Sequence, residues 1–168
     1  ASVGGGPAGL AAAYQLRRKG HGCTVFEAND ALGGMFKFGI PGYRVPRDKL
    51  DSEIQRIVDM GVEVKLKTKV GTDVQVADLE RDYDAILWGI GCQSGRGLPV
   101  PGWAGTPNCV SGVAFLKAFN EGRMKVTADK VICIGGGDTS IDVVSVARRI
   151  GHIQHTKPSD LPEIGRAS

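Results

Sequence analysis

The chain has 168 residues and a mass of 17.7 kDa, which is enough for one ordinary domain or two small ones with a hydrophobic core. Hydrophobic residues make up 42% of it and charged residues 23%, and no uncharged apolar run approaches the ~18 residues of a membrane span, so the composition argues against a disordered or membrane-spanning protein. The Lys and Arg residues outnumber the Asp and Glu residues by three, and the two signs are interleaved along the chain, which gives no support to nucleic-acid binding.

The first half of the chain predicts alternating helices and strands. A glycine-rich turn at residues 4–6 precedes a helical stretch, but only three residues precede the turn, too few for the strand expected to lead into it. A short apolar strand, Cys23–Phe26, comes next. Gly61 then ends a predicted helix and precedes an alternating strand, Val62–Lys67. That helix is indicated by four apolar residues at helical spacing: Leu50, Ile54, Ile57 and Val58.

The second half continues the alternation. The apolar run Ala85–Ile90 predicts a parallel strand buried on both faces, with Trp88 in the core. The apolar run 130–134 predicts another strand, and the stretch after Gly151 has two prolines and no apolar period, so we expect a loop there. A helix between these strands is indicated by Val113, Leu116 and Phe119. Together these elements predict an α/β fold with a parallel sheet.

Two segments of equal length align without a gap, GGGPAGLAAAYQLRRKG at Gly4–Gly20 and GGGDTSIDVVSVARRIG at Gly135–Gly151. Each begins with three glycines, carries an Arg pair at the same positions and ends with a glycine suited to a helix C-cap. The chain therefore contains two copies of one turn–helix unit. Because a predicted strand precedes only the second copy, we expect that residues are missing from the start.

The first copy has the features of a dinucleotide site. A glycine turn at the end of a strand lets backbone N–H groups and the positive end of a helix approach a pyrophosphate, because no Cβ intervenes. Gly4, Gly6 and Gly9 have the GxGxxG spacing, and Glu27 ends the second strand, where a carboxylate can accept hydrogen bonds from an adenosine ribose. The alternative is a turn that only packs a helix closely on the sheet.

The second copy matches the pattern less completely. Gly135 and Gly137 are in place, but Ser140 stands where the third glycine is expected. A small residue still allows close packing of the helix. We therefore predict a second dinucleotide site, with a fold that binds nothing as the alternative.

The four cysteines do not form a reactive or metal-binding pattern. Cys23, Cys92, Cys109 and Cys133 contain no close pair, so neither a CxxC dithiol nor a zinc or iron-sulfur ligand set is predicted. We expect Cys92 to be a buried small hydrophobic residue. No catalytic side chain and no metal ligand is assigned, and this cysteine usage favours a reducing, cytoplasmic compartment.

Seven motifs in this order carry a family resemblance: GGGPAGL, VFEAND, LGGMFKFGIPGYRVP, the VG element at Val70-Gly71, YDAILWGIG, LPVPG and GGGDTSIDVV. Over residues 3–151 the chain resembles the FAD and NAD(P) oxidoreductases related to the small subunit of glutamate synthase. The resemblance implies a Rossmann-like FAD-binding domain, whose N-terminal part is residues 1–108. It also implies the incomplete start of a second Rossmann-like domain for NAD(P), residues 109–168, so the chain is expected to be a fragment.

The resemblance assigns FAD to the first turn and NADH or NADPH to the second. It implies that Gly33, Gly34 and Met35 line the phosphates and ring of the flavin, that Arg44 contacts FAD, and that Val70 meets the adenine through its backbone. The full implied FAD set is Gly4, Gly6, Pro7, Ala8, Gly9, Glu27, Ala28, Gly33, Gly34, Met35, Arg44, Val70 and Gly91. The implied NAD(P) set is Gly135, Gly137, Asp138, Thr139 and Ser140. Without the resemblance, Arg44 is interpreted as a solvated surface cation.

The implied function is that of an FAD-dependent oxidoreductase subunit, which transfers electrons between NAD(P)H and an iron-sulfur partner subunit or another electron carrier. The flavin supplies the chemistry in such proteins, so no catalytic Ser, Cys or His is required. A non-catalytic scaffold subunit that holds FAD is one alternative, and a flavin monooxygenase or oxidase is another. The choice between NADH and NADPH stays open.

Overall fold

The computed structural model describes residues 1–103, 106, 109–124 and 130–155, the last five of these as backbone only. The chain divides into two compact units. The first comprises Ala1–Lys37 and Pro46–Gly91, and the second comprises Phe38–Val45 and Cys92–Ser168. The assignment of residues 1–108 and 109–168 to separate cofactors stays a prediction.

The first unit contains a parallel sheet of four strands in the order β3-β2-β1-β4. The order β3-β2-β1 is that of one half of a doubly wound, dinucleotide-binding sheet, and β4 lies beside β1 as the fourth strand of such a sheet does. The strands are short: β1 is Ser2–Val3, β2 is Thr24–Phe26, β3 is Glu63–Lys65 and β4 is Leu87–Trp88.

Helices connect these strands and cover both faces of the sheet. They are α1 at Pro7–Arg18, α2 at Gly34–Phe38, α3 at Arg47–Val58 and α4 at Val76–Asp82. Because side chains alternate along a strand, Val25 packs with residues of α1 and α3, whereas its neighbour Phe26 packs with Leu79 of α4. The first of these clusters contains Leu10, Ala13, Cys23, Val25, Leu32, Ile54 and Val62.

Two expectations about the strands of this unit were wrong. The residues before Gly4 do form a strand, because Ser2 and Val3 pair with β2 on one side and β4 on the other and are buried. The stretch Ala85–Ile90 forms only the two-residue β4, and Trp88 is 52% exposed. Among the described residues, β4 pairs with β1 alone and lies at the edge of the sheet. Cys92 is also exposed, not buried as expected.

The second unit contains two packed helices, α5 at Gly112–Asn120 and α6 at Asp138–His155. Their contact is centred on Leu116, Val143 and Val146. The predicted strand at 130–134 is wrong: this stretch has no regular structure, and Ile132 is 88% exposed. A parallel strand needs a neighbour, and the described residues of this unit contain no strand with which it could pair.

The two copies of the repeat agree in their helices. In each copy the helix begins at the fourth residue, Pro7 in the first and Asp138 in the second. Gly20 lies beyond the end of α1 with a positive φ of 85°, as predicted, but α6 continues past Gly151 to His155. The predicted C-cap at Gly151 and the loop at 152–155 were therefore wrong, because a glycine lowers helix propensity by about 1 kcal/mol without ending a helix. The remainder of that predicted loop, 156–168, lies outside the described residues.

The hydroxyl of Ser2 generates a testable prediction about stability. Ser2 is fully buried, and within the described part of the chain its Oγ has no hydrogen-bond partner. We expect Ser2→Ala to raise the free energy of unfolding by about 1 kcal/mol in urea denaturation, because an unpaired buried hydroxyl is destabilising.

A matched control is Thr24→Val, which removes a buried hydroxyl that does have a partner, since Thr24 Oγ1 donates to Glu63 Oε2 at 2.8 Å. This variant should be less stable than the wild type. A loss of stability in both variants would contradict the assignment of Ser2 as unpaired.

Candidate functional site

The first glycine turn lies at the carboxyl end of β1, where close backbone contacts require one glycine in the turn and one in α1. Gly4 has a φ of +107°, and a Cβ there would lie 2.3 Å from the carbonyl oxygen of Gly89. A Cβ on Gly9 would lie 1.9 Å from the carbonyl oxygen of Gly4. These two glycines therefore allow α1 to start directly over β1 and β4.

Gly6 is different, because the protein itself leaves room for a side chain there. Its φ is −82°, and a Cβ would have only Gly34 Cα nearby, at 3.6 Å. Gly6 is the N-cap of α1 and is followed by Pro7, which has no N–H to satisfy. A glycine at this position keeps the positive end of α1 open to an anion, as pyrophosphate binding requires.

Glu27 holds the glycine turn to the end of β2. Its carboxylate is buried; Oε2 accepts a hydrogen bond from Gly5 N at 2.7 Å, and Oε1 accepts from the backbone and side-chain nitrogens of Asn29 at 2.8 and 2.7 Å. A carboxylate has about four lone-pair positions, so Glu27 can accept about one further hydrogen bond, for example from a ribose hydroxyl. Glu27 can therefore accept a hydrogen bond from the ribose, as predicted, while it also holds Gly5 and Asn29 in place, which the sequence did not indicate.

A second glycine pair lies against the same turn. Gly33 N donates to the carbonyl oxygen of Gly5 at 2.8 Å, and a Cβ on Gly34 would lie 2.7 Å from Gly6 Cα. Both glycines have positive φ angles, +119° and +51°. The structure therefore brings Gly33, Gly34 and the following residue, Met35, next to the first turn, as the resemblance implied for a shared site.

The chain after β3 also passes the loop that contains Glu27. Thr68 N donates to the carbonyl oxygen of Glu27, and Lys67 N donates to that of Asn29, each at 2.9 Å. Val70, two residues later, packs beside β1 and β2. Gly91 has a φ of +64° and follows β4. The predicted FAD residues of the first unit thus gather at the carboxyl ends of β1, β2 and β4, where ligands bind in open α/β sheets.

Arg44 lies in the second unit and has a specific partner there. Its Nη1 contacts both carboxylate oxygens of Asp142 at 2.8 Å, and Asp142 is only 6% exposed. The hydrogen bond and the charge of Asp142 raise the pKa of Arg44. The Arg44 side chain is 49% exposed, so Arg44 is a surface cation, as interpreted without the resemblance, but one with a specific buried partner. Its contact with FAD stays a prediction.

In the second glycine turn, as in the first, one glycine is required by a close contact and another leaves open space. A Cβ on Gly135, which has a φ of +129°, would lie 2.7 Å from Ser140 Oγ, whereas Gly136 and Gly137 have no atom within 4 Å of such a Cβ. The backbone nitrogens of Ser140 and Ile141 donate to the Gly137 carbonyl oxygen and join the turn to α6. Asp138 and Thr139 form the first turn of that helix, and an open cavity of about 250 Å³ lies beside it.

Sequence reasoning missed three residues that shape these sites. Gly5 and Asn29 donate hydrogen bonds to the Glu27 carboxylate, and Asp142 is the partner of Arg44. Asn29 could have been found from the sequence, because a short polar side chain two residues after Glu27 is placed to donate a hydrogen bond to its carboxylate. Asp142 could also have been found, because it places a carboxylate in an apolar helix where the first copy of the repeat has Ala11.

Within the described ranges, no cluster of His, Cys, Asp and Glu residues could hold a metal ion. Over the same residues, no helix combines the length and the apolar character needed to cross a bilayer.

The sequence is similar to several larger oxidoreductase subunits. It is 42% identical over 153 residues to the NADP(+)-dependent formate dehydrogenase subunit beta of Moorella thermoacetica, and the aligned region covers 90% of this chain and 22% of that protein. It is 36% identical over 165 residues to the glutamate synthase (NADPH) small chain of Mycobacterium tuberculosis, covering 91% of this chain and 34% of the relative. The NADPH-Fe(3+) oxidoreductase subunit beta of Geobacter sulfurreducens is 39% identical over 160 residues, with coverages of 93% and 24%. The chain thus spans about a fifth to a third of the length of these relatives.

A solved structure with a similar fold is FprA from Mycobacterium tuberculosis. It matches with a TM-score of 0.76 and 23% sequence identity over 86% of this chain and 35% of that chain. This likeness, together with the parallel sheet, confirms the predicted α/β, Rossmann-like fold. The sequence model of one family, described as pyridine nucleotide-disulphide oxidoreductase, matches residues 2–157. Because this match covers nearly the whole chain, the protein belongs to the pyridine nucleotide-disulphide oxidoreductase family.

Proposed function

We propose that this chain is part of an FAD-dependent oxidoreductase subunit that transfers electrons between NAD(P)H and an iron-sulfur partner subunit or another electron carrier. The observation that carries the proposal is the pair of glycine turns. In each turn one glycine is required by the packing of the protein itself, and another, Gly6 or Gly137, leaves open space at the start of a helix. Packing alone does not explain the open glycines, whereas a phosphate-bearing ligand does.

The first turn fits FAD. Gly6 and the positive end of α1 would receive the pyrophosphate, Glu27 would accept a hydrogen bond from the ribose, and Gly33 and Gly34 would let the chain approach the cofactor closely. When bound, the flavin supplies the redox chemistry. The chain contributes a preformed cradle in which the Glu27 carboxylate already fixes Gly5, so little ordering of the turn remains for the moment of binding.

The second turn fits NADH or NADPH. Gly136 and Gly137 leave the start of α6 open, and Gly135, with its positive φ, lies so close to Ser140 that a Cβ there would be 2.7 Å from Oγ. The names of the formate dehydrogenase and glutamate synthase relatives include NADP or NADPH, whereas that of the Salmonella typhimurium dihydropyrimidine dehydrogenase subunit includes NAD. Both nucleotides therefore belong in the test.

The partner and the compartment are proposed on similar grounds. The relatives are named as a subunit or a small chain, which supports a function together with a second, electron-carrying subunit. All four cysteines are free, two of them exposed, which supports a reducing cytoplasm.

The first prediction for this function compares two glycines of the same turn. In the full-length protein, Gly6→Ala should fold normally but lose bound flavin, because its Cβ enters the space of the pyrophosphate and touches no protein atom closer than 3.6 Å. Gly9→Ala should prevent folding of the first unit, because its Cβ would lie 1.9 Å from a backbone oxygen. Flavin absorbance and thermal unfolding separate the two effects, and a Gly6→Ala protein that remains fully yellow would contradict a phosphate site here.

The second prediction concerns Glu27. Glu27→Gln should weaken flavin retention by about 1–3 kcal/mol, since both carboxylate oxygens accept hydrogen bonds and an amide NH₂ cannot. Asp30→Asn is the matched control, because it removes an exposed carboxylate from the same loop and should retain flavin. Equal flavin dissociation constants in the two variants would remove Glu27 from the site.

The third prediction separates the two sites. Gly137→Val should keep FAD bound but stop bleaching of the flavin by NADH or NADPH, while dithionite still reduces it. Gly22→Val is the matched control, since a Cβ at Gly22 also meets no atom within 4 Å and Gly22 lies outside both turns. Bleaching at the wild-type rate in Gly137→Val would instead favour a scaffold role for the second unit, and oxygen-dependent turnover without an electron carrier would favour a monooxygenase or oxidase.

A further inference from the structure

The segment Phe38–Val45 is attached to both helices of the second unit, although its sequence neighbours on either side belong to the first. Asn120 Nδ2, at the end of α5, donates to the carbonyl oxygens of Phe38 and Ile40 at 2.9 and 3.2 Å. The guanidinium of Arg149, on α6, stacks on the ring of Tyr43 with 3.9 Å to the centroid. The segment is therefore an integral part of the second unit.

The charged contact in this attachment is Arg44 with Asp142. Asp142 lies one helical turn after Asp138, the first residue of α6, and its side chain is almost completely buried. Arg44 uses a single nitrogen, Nη1, for both oxygens, and Asp138 is close enough to act on the same cation. Arg44 thus supplies the positive charge that a buried carboxylate in the first two turns of α6 requires.

The second glycine turn is fixed to the same part of α6. Gly137 accepts hydrogen bonds from Ser140 and Ile141, so the direction of the turn follows the direction of the first helical turn. Loss of Arg44 would leave Asp142 buried without a cation, and a shift of α6 that brings that carboxylate to water would relieve this cost.

We propose that Arg44 is a positioning residue for the second glycine turn: by pairing with Asp142 it holds α6 against the segment Phe38–Val45 and so orients Gly136 and Gly137 for the nicotinamide cofactor. This inference rests on the proposed function of that turn. It assigns Arg44 to the second glycine turn, whereas the family resemblance implied a contact with FAD.

The experiment uses the full-length, oxidised protein and measures three quantities: flavin content, unfolding temperature, and the dissociation constants of NADP+ and NAD+ by calorimetry well below the unfolding temperature. Arg44→Met should retain flavin but bind the preferred nucleotide about tenfold more weakly, as expected for a residue that acts through another. Arg44→Lys should bind like the wild type, because one ammonium nitrogen can take the place of Nη1 between the two oxygens.

The double variant Arg44→Met with Asp142→Leu should recover nucleotide binding, because it removes the buried charge together with its partner. Arg148→Met removes one exposed cation from the far part of the same helix and should change none of the three quantities. If Arg44→Met does not fold while the double variant has wild-type flavin content and nucleotide affinity, the pair is purely structural and the proposal fails.

Three results would overturn it. Loss of flavin in Arg44→Met that the double variant does not restore would make Arg44 a flavin contact. Wild-type nucleotide affinity in a folded Arg44→Met would make the pair purely structural, as would a lowered unfolding temperature alone. If the wild-type protein binds neither NADP+ nor NAD+, the function proposed for the second turn is wrong. This outcome is distinguishable from the other two because it is measured on the wild-type protein alone.

Discussion

The architecture of the first unit depends on the absence of a Cβ at Gly9. A methyl group there would overlap the carbonyl oxygen of Gly4, so only glycine lets the first turn of α1 descend onto the end of β1. That close approach puts Gly6 at the helix N-terminus and brings Gly5 N within reach of Glu27. Glu27 in turn ties the end of β2 to the turn. The binding geometry of the site is therefore set by backbone packing before any ligand arrives.

Local signals predicted the glycine turns and the helices α1, α3, α5 and α6, although not the end of α6, and they missed the short helices α2 and α4. The glycine spacing, the apolar residues at helical intervals and the positive φ of Gly61 all correspond to observed features, because each depends on residues close together in sequence. The position of Glu27 at the end of β2 was predicted for the same reason.

The predicted strands Cys23–Phe26 and Val62–Lys67 correspond to β2 and β3, but the predictions for the other strands were wrong because a strand depends on its neighbours. The two residues of β1 form a buried central strand because β2 and β4 lie on either side. By contrast, the longer apolar run at 85–90 forms only a two-residue edge strand, and the run at 130–134 forms no strand. Hydrophobicity indicates that a segment tends to be buried, but not whether a partner is available. The pairing of Arg44 with Asp142 was missed for a similar reason, because the two residues are 98 positions apart.

The interleaved order of the two units has a consequence for folding during synthesis. The segment Phe38–Val45 leaves the ribosome long before α5 and α6, the helices on which it packs, and it stays without those partners until residues near 149 have been made. In the meantime β3 and β4 can complete the sheet of the first unit, whose chain is interrupted by this segment. The second unit therefore depends on a contact of high sequence separation, which is slow to form and exposes Tyr43 and the apolar face of α6 to off-pathway association. A recombinant second unit that begins at Cys92 would lack this segment altogether.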